Sequence, residues 1–204
     1  MWMLAAIGAI FLHDLGQILV GRFFGMRGEV VLYGLGGPTL GVEDLPRRWQ
    51  RVIVLLAGSA LQLVFVAAIW GVTYLSYPES LDGSELRSLI ANGVAIVFRA
   101  NYYWALLNLL PIWPLDGGRI ACEIGEAIFG RRGGTAALVL SLMTCAAAAI
   151  FVTIGLGADL DYRFDPRYLL YLEHYTVLLG FCFLFWIRAF QALWSARALS
   201  PNSK

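Results

Sequence analysis

Three residues near the start of the chain have types and spacing that could do chemistry. His13 and Gln17 are four apart, so on a helix they project from one face, one turn apart, with Asp14 beside them. The pattern H-D-L-G-Q differs at two places from the zinc motif H-E-x-x-H, in which two imidazoles hold the metal and Glu is the general base. Asp stands where that motif has Glu, and Gln stands where it has the second His. A Gln carbonyl is a poorer zinc ligand than an imidazole. Asp keeps a carboxylate on a side chain one methylene shorter, and a general base must come within hydrogen-bond reach of the proton it takes. A second stretch carries a carboxylate at a break in the helix pattern. Asn108 to Gly118 reads N-L-L-P-I-W-P-L-D-G-G, and its prolines and glycines cannot continue a regular helix. The backbone must unwind there, and Asp116 is delivered from the bend.

The elements that must hold these residues are membrane spans. The chain is 59% hydrophobic and only 14% charged, with mean hydropathy +0.70, which is too little charge to cover a soluble domain of this length. Apolar runs predict five spanning helices, about 2–24, 52–75, 88–110, 134–157 and 169–195, each able to cross about 30 Å of hydrocarbon. The first run lacks a basic segment before it and resumes after Asp14, so it reads as a membrane helix with a polar insertion, not a signal peptide. Residues 29–42 pass from β-branched and aromatic to glycine-rich, which predicts a short β-hairpin or sheet lying against the bundle. A short amphipathic helix is expected over about 119–129. The whole of 1–204 reads as one membrane-embedded domain. A net charge of +1 gives no field for nucleic acid, and the three Cys form no metal or disulfide pattern.

Arginines alternate between the connections. They are dense in 22–51, 111–133 and the C-terminal end, and sparse or offset by acids in 76–87 and 158–168. This predicts an N-terminus outside and a C-terminus in the cytoplasm. His13 lies nine residues before Arg22, about 13 Å along a helix. Other polar groups in spans are functional candidates by default. Arg99 could pair with Asp14 or Glu173. His174 reads as an interfacial or helix-contact residue. Cys122, six residues after Asp116, is an alternative thiolate ligand. Glu123 and Glu126 read as a solvated helix face.

In this order the motifs resemble those of the site-2 proteases, the M50 intramembrane zinc metalloproteases. His13 to Gln17 resembles the family's H-E-x-x-H, and Leu35-Gly36-Gly37 its glycine pair in a short sheet. Ala57-Gly58-Ser59-Ala60-Leu61-Gln62 resembles A-G-P-x-x-N, with Ser59 for Pro and Gln62 for Asn. Asn108 to Gly118 matches N-x-x-P-x-x-P-L-D-G-G throughout. The resemblance covers about residues 10–120 and implies an all-α membrane protein with a site-2 protease-like core. It implies zinc as cofactor, with His13, Gln17 and Asp116 as ligands and Asp14 as base. It implies that Gln62 and Asn108 act at the substrate or oxyanion, and that Leu35, Gly36 and Gly37 pair an unwound substrate strand.

Three functions follow for comparison. One is a protease homologue, impaired in catalysis or without it, that binds membrane partners through the old cleft. Another is an active zinc endopeptidase with unusual ligands, cutting transmembrane substrates within the bilayer. The third is a small transporter using the broken third span.

Overall fold

A computed structural model describes residues 2–26, 41–75, 85–159 and 168–198. Six helices occur among them: α1 (Trp2–Phe23), α2 (Arg48–Leu75), α3 (Glu85–Asn108), α4 (Asp116–Phe129), α5 (Arg131–Asp159) and α6 (Tyr168–Ala198). No strand occurs among the described residues. Most of the segment expected to form a hairpin, with Leu35, Gly36 and Gly37, lies outside them. The chain divides into two compact units, Met1–Leu109 and Leu110–Lys204.

Among the described residues, four helices are long and apolar enough to cross a membrane: α1, α2, Arg131–Ile154 of α5 and Leu179–Ala196 of α6. The third expected span, α3, is long enough at 24 residues but less apolar. Asn92, Arg99 and Asn101 interrupt its hydrophobic run.

In the first unit, α1, α2 and α3 pack on one another. The buried face of α1 is small or polar: Ala9, His13, Gly16, Gln17 and Gly21. Its exposed residues are large and apolar, among them Trp2, Ile7, Phe11 and Phe23. That is the reverse of a soluble helix. Lipid tails are as apolar as Leu, so burying Leu gains little, and helices associate through close backbone contact and interhelical hydrogen bonds. Gly16 shows the first device, because a Cβ there would sit 2.7 Å from the Ala57 carbonyl oxygen of α2.

In the second unit, α5 packs against both α4 and α6. Gly125 of α4 and Gly133 of α5 meet backbone to backbone with no room for a Cβ. Gly130 makes the turn between the two helices, at φ +61°. Helix α4 begins at Asp116, three residues before the expected start. Glycine disfavours helix interiors, but an acidic residue in the first turn suits the helix dipole. Gly118 has a further reason to be glycine. A Cβ there would fall 2.5 Å from the Ile112 carbonyl oxygen and the Trp113 nitrogen.

The segment before α4 is unwound, as its prolines require. Leu115 N–H donates to Ile112 O at 2.8 Å, Arg119 N–H donates to Leu115 O at 3.0 Å, and the Trp113–Pro114 peptide is cis. Trp113 N–H donates to Ser141 Oγ at 2.7 Å. Ser141 is ten residues after Arg131, about 15 Å along α5 at 1.5 Å per residue. The loop therefore reaches well along a spanning helix, and α4 returns beside it.

Candidate functional site

The first unit brings four polar side chains from three helices into one connected chain. Its polarity is set by backbone carbonyls, which can only accept. Gln62 Nε2 donates to Ala9 O at 2.9 Å. This fixes the amide of Gln62, so its oxygen is the atom that faces α1. Gln62 Oε1 lies 3.0 Å from His13 Nδ1. An oxygen there demands a donor, so Nδ1 carries the proton and Nε2 of the neutral ring carries the lone pair. Gln17 Nε2 lies 3.1 Å from that nitrogen and donates to it.

The chain continues into α3. Gln62 Nε2 also donates to Asn101 Oδ1 at 3.4 Å, and Asn101 Nδ2 donates to Val97 O at 2.9 Å. The side chains are nearly inaccessible: His13 is 5% exposed, Gln17 2%, Gln62 0% and Asn101 3%. Such burial is tolerable in a low-dielectric interior because the polar groups find partners.

Gly58 makes room for the ring. A Cβ on Gly58 would lie 2.6 Å from His13 Cε1 and 2.7 Å from Nε2. Next to it, Ser59 Oγ is buried with no hydrogen-bond partner among the described residues. Asp14 is half-buried on α1. Asn108, in the last turn of α3, donates through Nδ2 to Trp104 O at 3.0 Å.

A cleft of about 520 Å³ opens between α1, α2 and α3. Its walls are mainly apolar, with Leu4, Phe11, Phe65 and Ile96 among them. Asn101 also lines it, so the buried chain reaches the cleft through that residue.

Asp116 belongs to the second unit. It is the first residue of α4, and Leu115 before it provides no side-chain cap. Asp116 and Arg119 are both buried, three apart on one face. The Cys122 thiol is pushed up to about 11, first by burial and then by the nearby Glu126 and Glu123. Without a bound cation the thiol is therefore protonated near neutral pH. Arg99 is exposed on α3, and among the described residues it has no ion-pair partner, Asp14 included. His174 and Glu173 lie within α6.

Sequence reasoning thus finds His13, Gln17 and Gln62, and the structure joins these three. It misses Asn101 as a partner and Gly58 as the space for the ring. A signal for Asn101 is present, since Asn101 and Asn108 are seven apart and share a face of the least apolar span.

A helical membrane protein whose buried chemistry is a Gln–His–Gln–Asn chain inside its first three helices is the class that fold and site define. Residues 78–152 match the model of peptidase family M50. A Synechocystis protein named as a zinc metalloprotease is 28% identical over 138 residues, 64% of this chain and 34% of its own length. The zinc metalloprotease Rip3 of Mycobacterium tuberculosis is 28% identical over 165 residues, 76% of this chain and 39% of its own length. Stage IV sporulation protein FB of Bacillus subtilis is 26% identical over 136 residues, 59% of this chain and 43% of its own length. No solved structure matches significantly. With its motifs in family order, the chain is similar to the M50 peptidases over the matched residues 78–152, and to these three relatives at 26–28% identity. It spans between a third and a half of the length of these relatives.

Proposed function

We propose that this chain is a site-2 protease homologue impaired in metal-dependent catalysis, which binds membrane-embedded segments of other proteins. One observation carries the reading. The His13 nitrogen with the lone pair, the atom a zinc ion would need, accepts a hydrogen bond from the Gln17 amide at 3.1 Å. Where the family motif has a second imidazole, this chain directs an N–H at the first.

The donor set does not fit a catalytic zinc. Such a site takes three protein ligands and keeps one position for water. The two side chains bonded to the His13 ring, Gln17 and Gln62, are both neutral amides. Gln17 would have to turn its amide over to offer an oxygen, and that oxygen would still be neutral. The apolar cleft beside α1 and α3 supports binding of a hydrophobic segment, and its volume lies within the range of ordinary ligand pockets. The arginine distribution supports a C-terminus in the cytoplasm and an N-terminus outside.

A second reading, an active zinc endopeptidase with unusual ligands, is favoured by the tautomer of His13. Ligand histidines hold the proton on one nitrogen against a carbonyl and present the other to the metal, and Gln62 gives His13 that state.

Metal analysis of the purified protein separates the two, run beside a double variant, Asp14→Glu with Gln17→His. The impaired reading expects zinc well below one equivalent and no cleavage of a membrane-spanning substrate by the wild type. Near-stoichiometric zinc, with cleavage abolished by His13→Ala or Asp116→Ala, would overturn it.

A further inference from the structure

The family resemblance puts position 62 at the substrate, but the hydrogen bonds of Gln62 all run inward. Its amide nitrogen is spent on Ala9 O and Asn101 Oδ1, its oxygen faces His13, and the side chain is wholly inaccessible. We propose that Gln62 is a positioning residue for His13: it decides which ring nitrogen carries the proton, and Asn101 ties that decision to α3.

The reasoning needs only donor and acceptor chemistry. Ala9 O accepts and cannot donate, so the Gln62 amide cannot turn over without setting two oxygens against each other. Asn101 is held the same way by Val97 O, so the oxygen it offers Gln62 is equally fixed. Two backbone carbonyls, on α1 and α3, thereby determine the tautomer of one imidazole through side chains on α2 and α3. Nε2 is left as the acceptor and meets the amide of Gln17. The inference holds whether or not the chain cleaves peptides.

The chain has two histidines, which makes the test direct. Protein labelled with ¹⁵N-histidine in lipid nanodiscs, at about pH 8 where an ordinary imidazole is neutral, gives the tautomer from its nitrogen shifts. His174→Gln assigns the His13 signals. The expected wild-type state is proton on Nδ1, lone pair on Nε2. Gln62→Met should move the tautomer ratio about tenfold toward the Nε2–H form, as loss of one hydrogen bond of ordinary net strength allows. Asn101→Leu, which releases the Gln62 amide from α3, should move the ratio the same way but less than Gln62→Met. A purely structural Gln62 would change stability and leave the tautomer alone. The Nε2–H form in wild type, or an unchanged Nδ1–H form in folded Gln62→Met, would overturn the proposal. If Gln62→Met does not fold, the Asn101→Leu spectrum decides it: a shift toward the Nε2–H form supports the proposal, and an unchanged ratio overturns it.

Discussion

The imidazole of His13 rests against the backbone of Gly58, so close that a single methyl there would sit 2.6 Å from Cε1. Neither the ring nor α2 has anywhere to go. The ring is held by Gln62 and Gln17 at its two nitrogens, and Gly16 sets α1 against the Ala57 carbonyl a turn away.

Gly58→Ala should therefore destabilise the first unit by about 1–3 kcal/mol, the usual cost of overpacking. Thermal unfolding in a mild detergent would measure it. Gly71→Ala on the same helix, where an added Cβ meets nothing within 4 Å, should be neutral or slightly stabilising. Equal losses at both positions would show that the contact at His13 is not the cause.

Ser141→Ala should cost about 1–3 kcal/mol, because it leaves the Trp113 N–H without the acceptor it now has at 2.7 Å. Ser141 is 1% exposed, so water cannot readily take its place. Protease susceptibility of the loop between α3 and α4, in detergent, should rise along with the loss of stability.

Gly133→Ala should separate α4 from α5. An added Cβ would overlap the Gly125 carbonyl, which is backbone and cannot swing aside. A loss of at least about 2 kcal/mol is expected, at the upper end of overpacking costs. The second unit should show it first, in hydrogen exchange of α4 amides.

Cys122 should react slowly with maleimide at pH 8, as about one thiol in a thousand is ionised when the pKa is near 11. The sign is fixed by the cause: burial and two acidic neighbours disfavour the thiolate, so the rate should climb about tenfold per pH unit until pH approaches 11. Glu126→Gln removes the larger acidic influence and should raise the rate at pH 8. The measurement uses a variant with Cys145 and Cys182 replaced by Ala. A rate that levels off below pH 9 would refute it.

Much of the helical architecture is legible in the sequence, because apolar runs of spanning length have few other uses. Boundaries move where polar residues extend a helix past its apolar run, as at Arg48, and where glycines hide one, as at Asp116 to Gly118. Helix propensity counts against those glycines, and their close approach to the 110–115 loop has no local signature. The strand expected over 29–42 falls mostly outside the described residues. At the candidate site, helical spacing identifies His13 and Gln17, and the family pattern adds Gln62. Asn101 is harder to read, because it stands two residues from the charged Arg99 and only one of the two is buried. Burial inside a bundle depends on which face meets which helix, and no single span encodes that.

The chain of hydrogen bonds from Val97 to Gln17 also bears on how the protein is made. Helices α1 and α2 precede α3 in the chain and can bring Ala9, His13, Gln17 and Gln62 together by themselves. Until α3 enters the bilayer, Gln62 lacks the acceptor that Asn101 supplies, and hydrocarbon offers no substitute. Arrival of the least apolar of the three helices completes the pairing. The polar residues that make α3 the least apolar of the three thus include the one that completes the hydrogen bonding of Gln62.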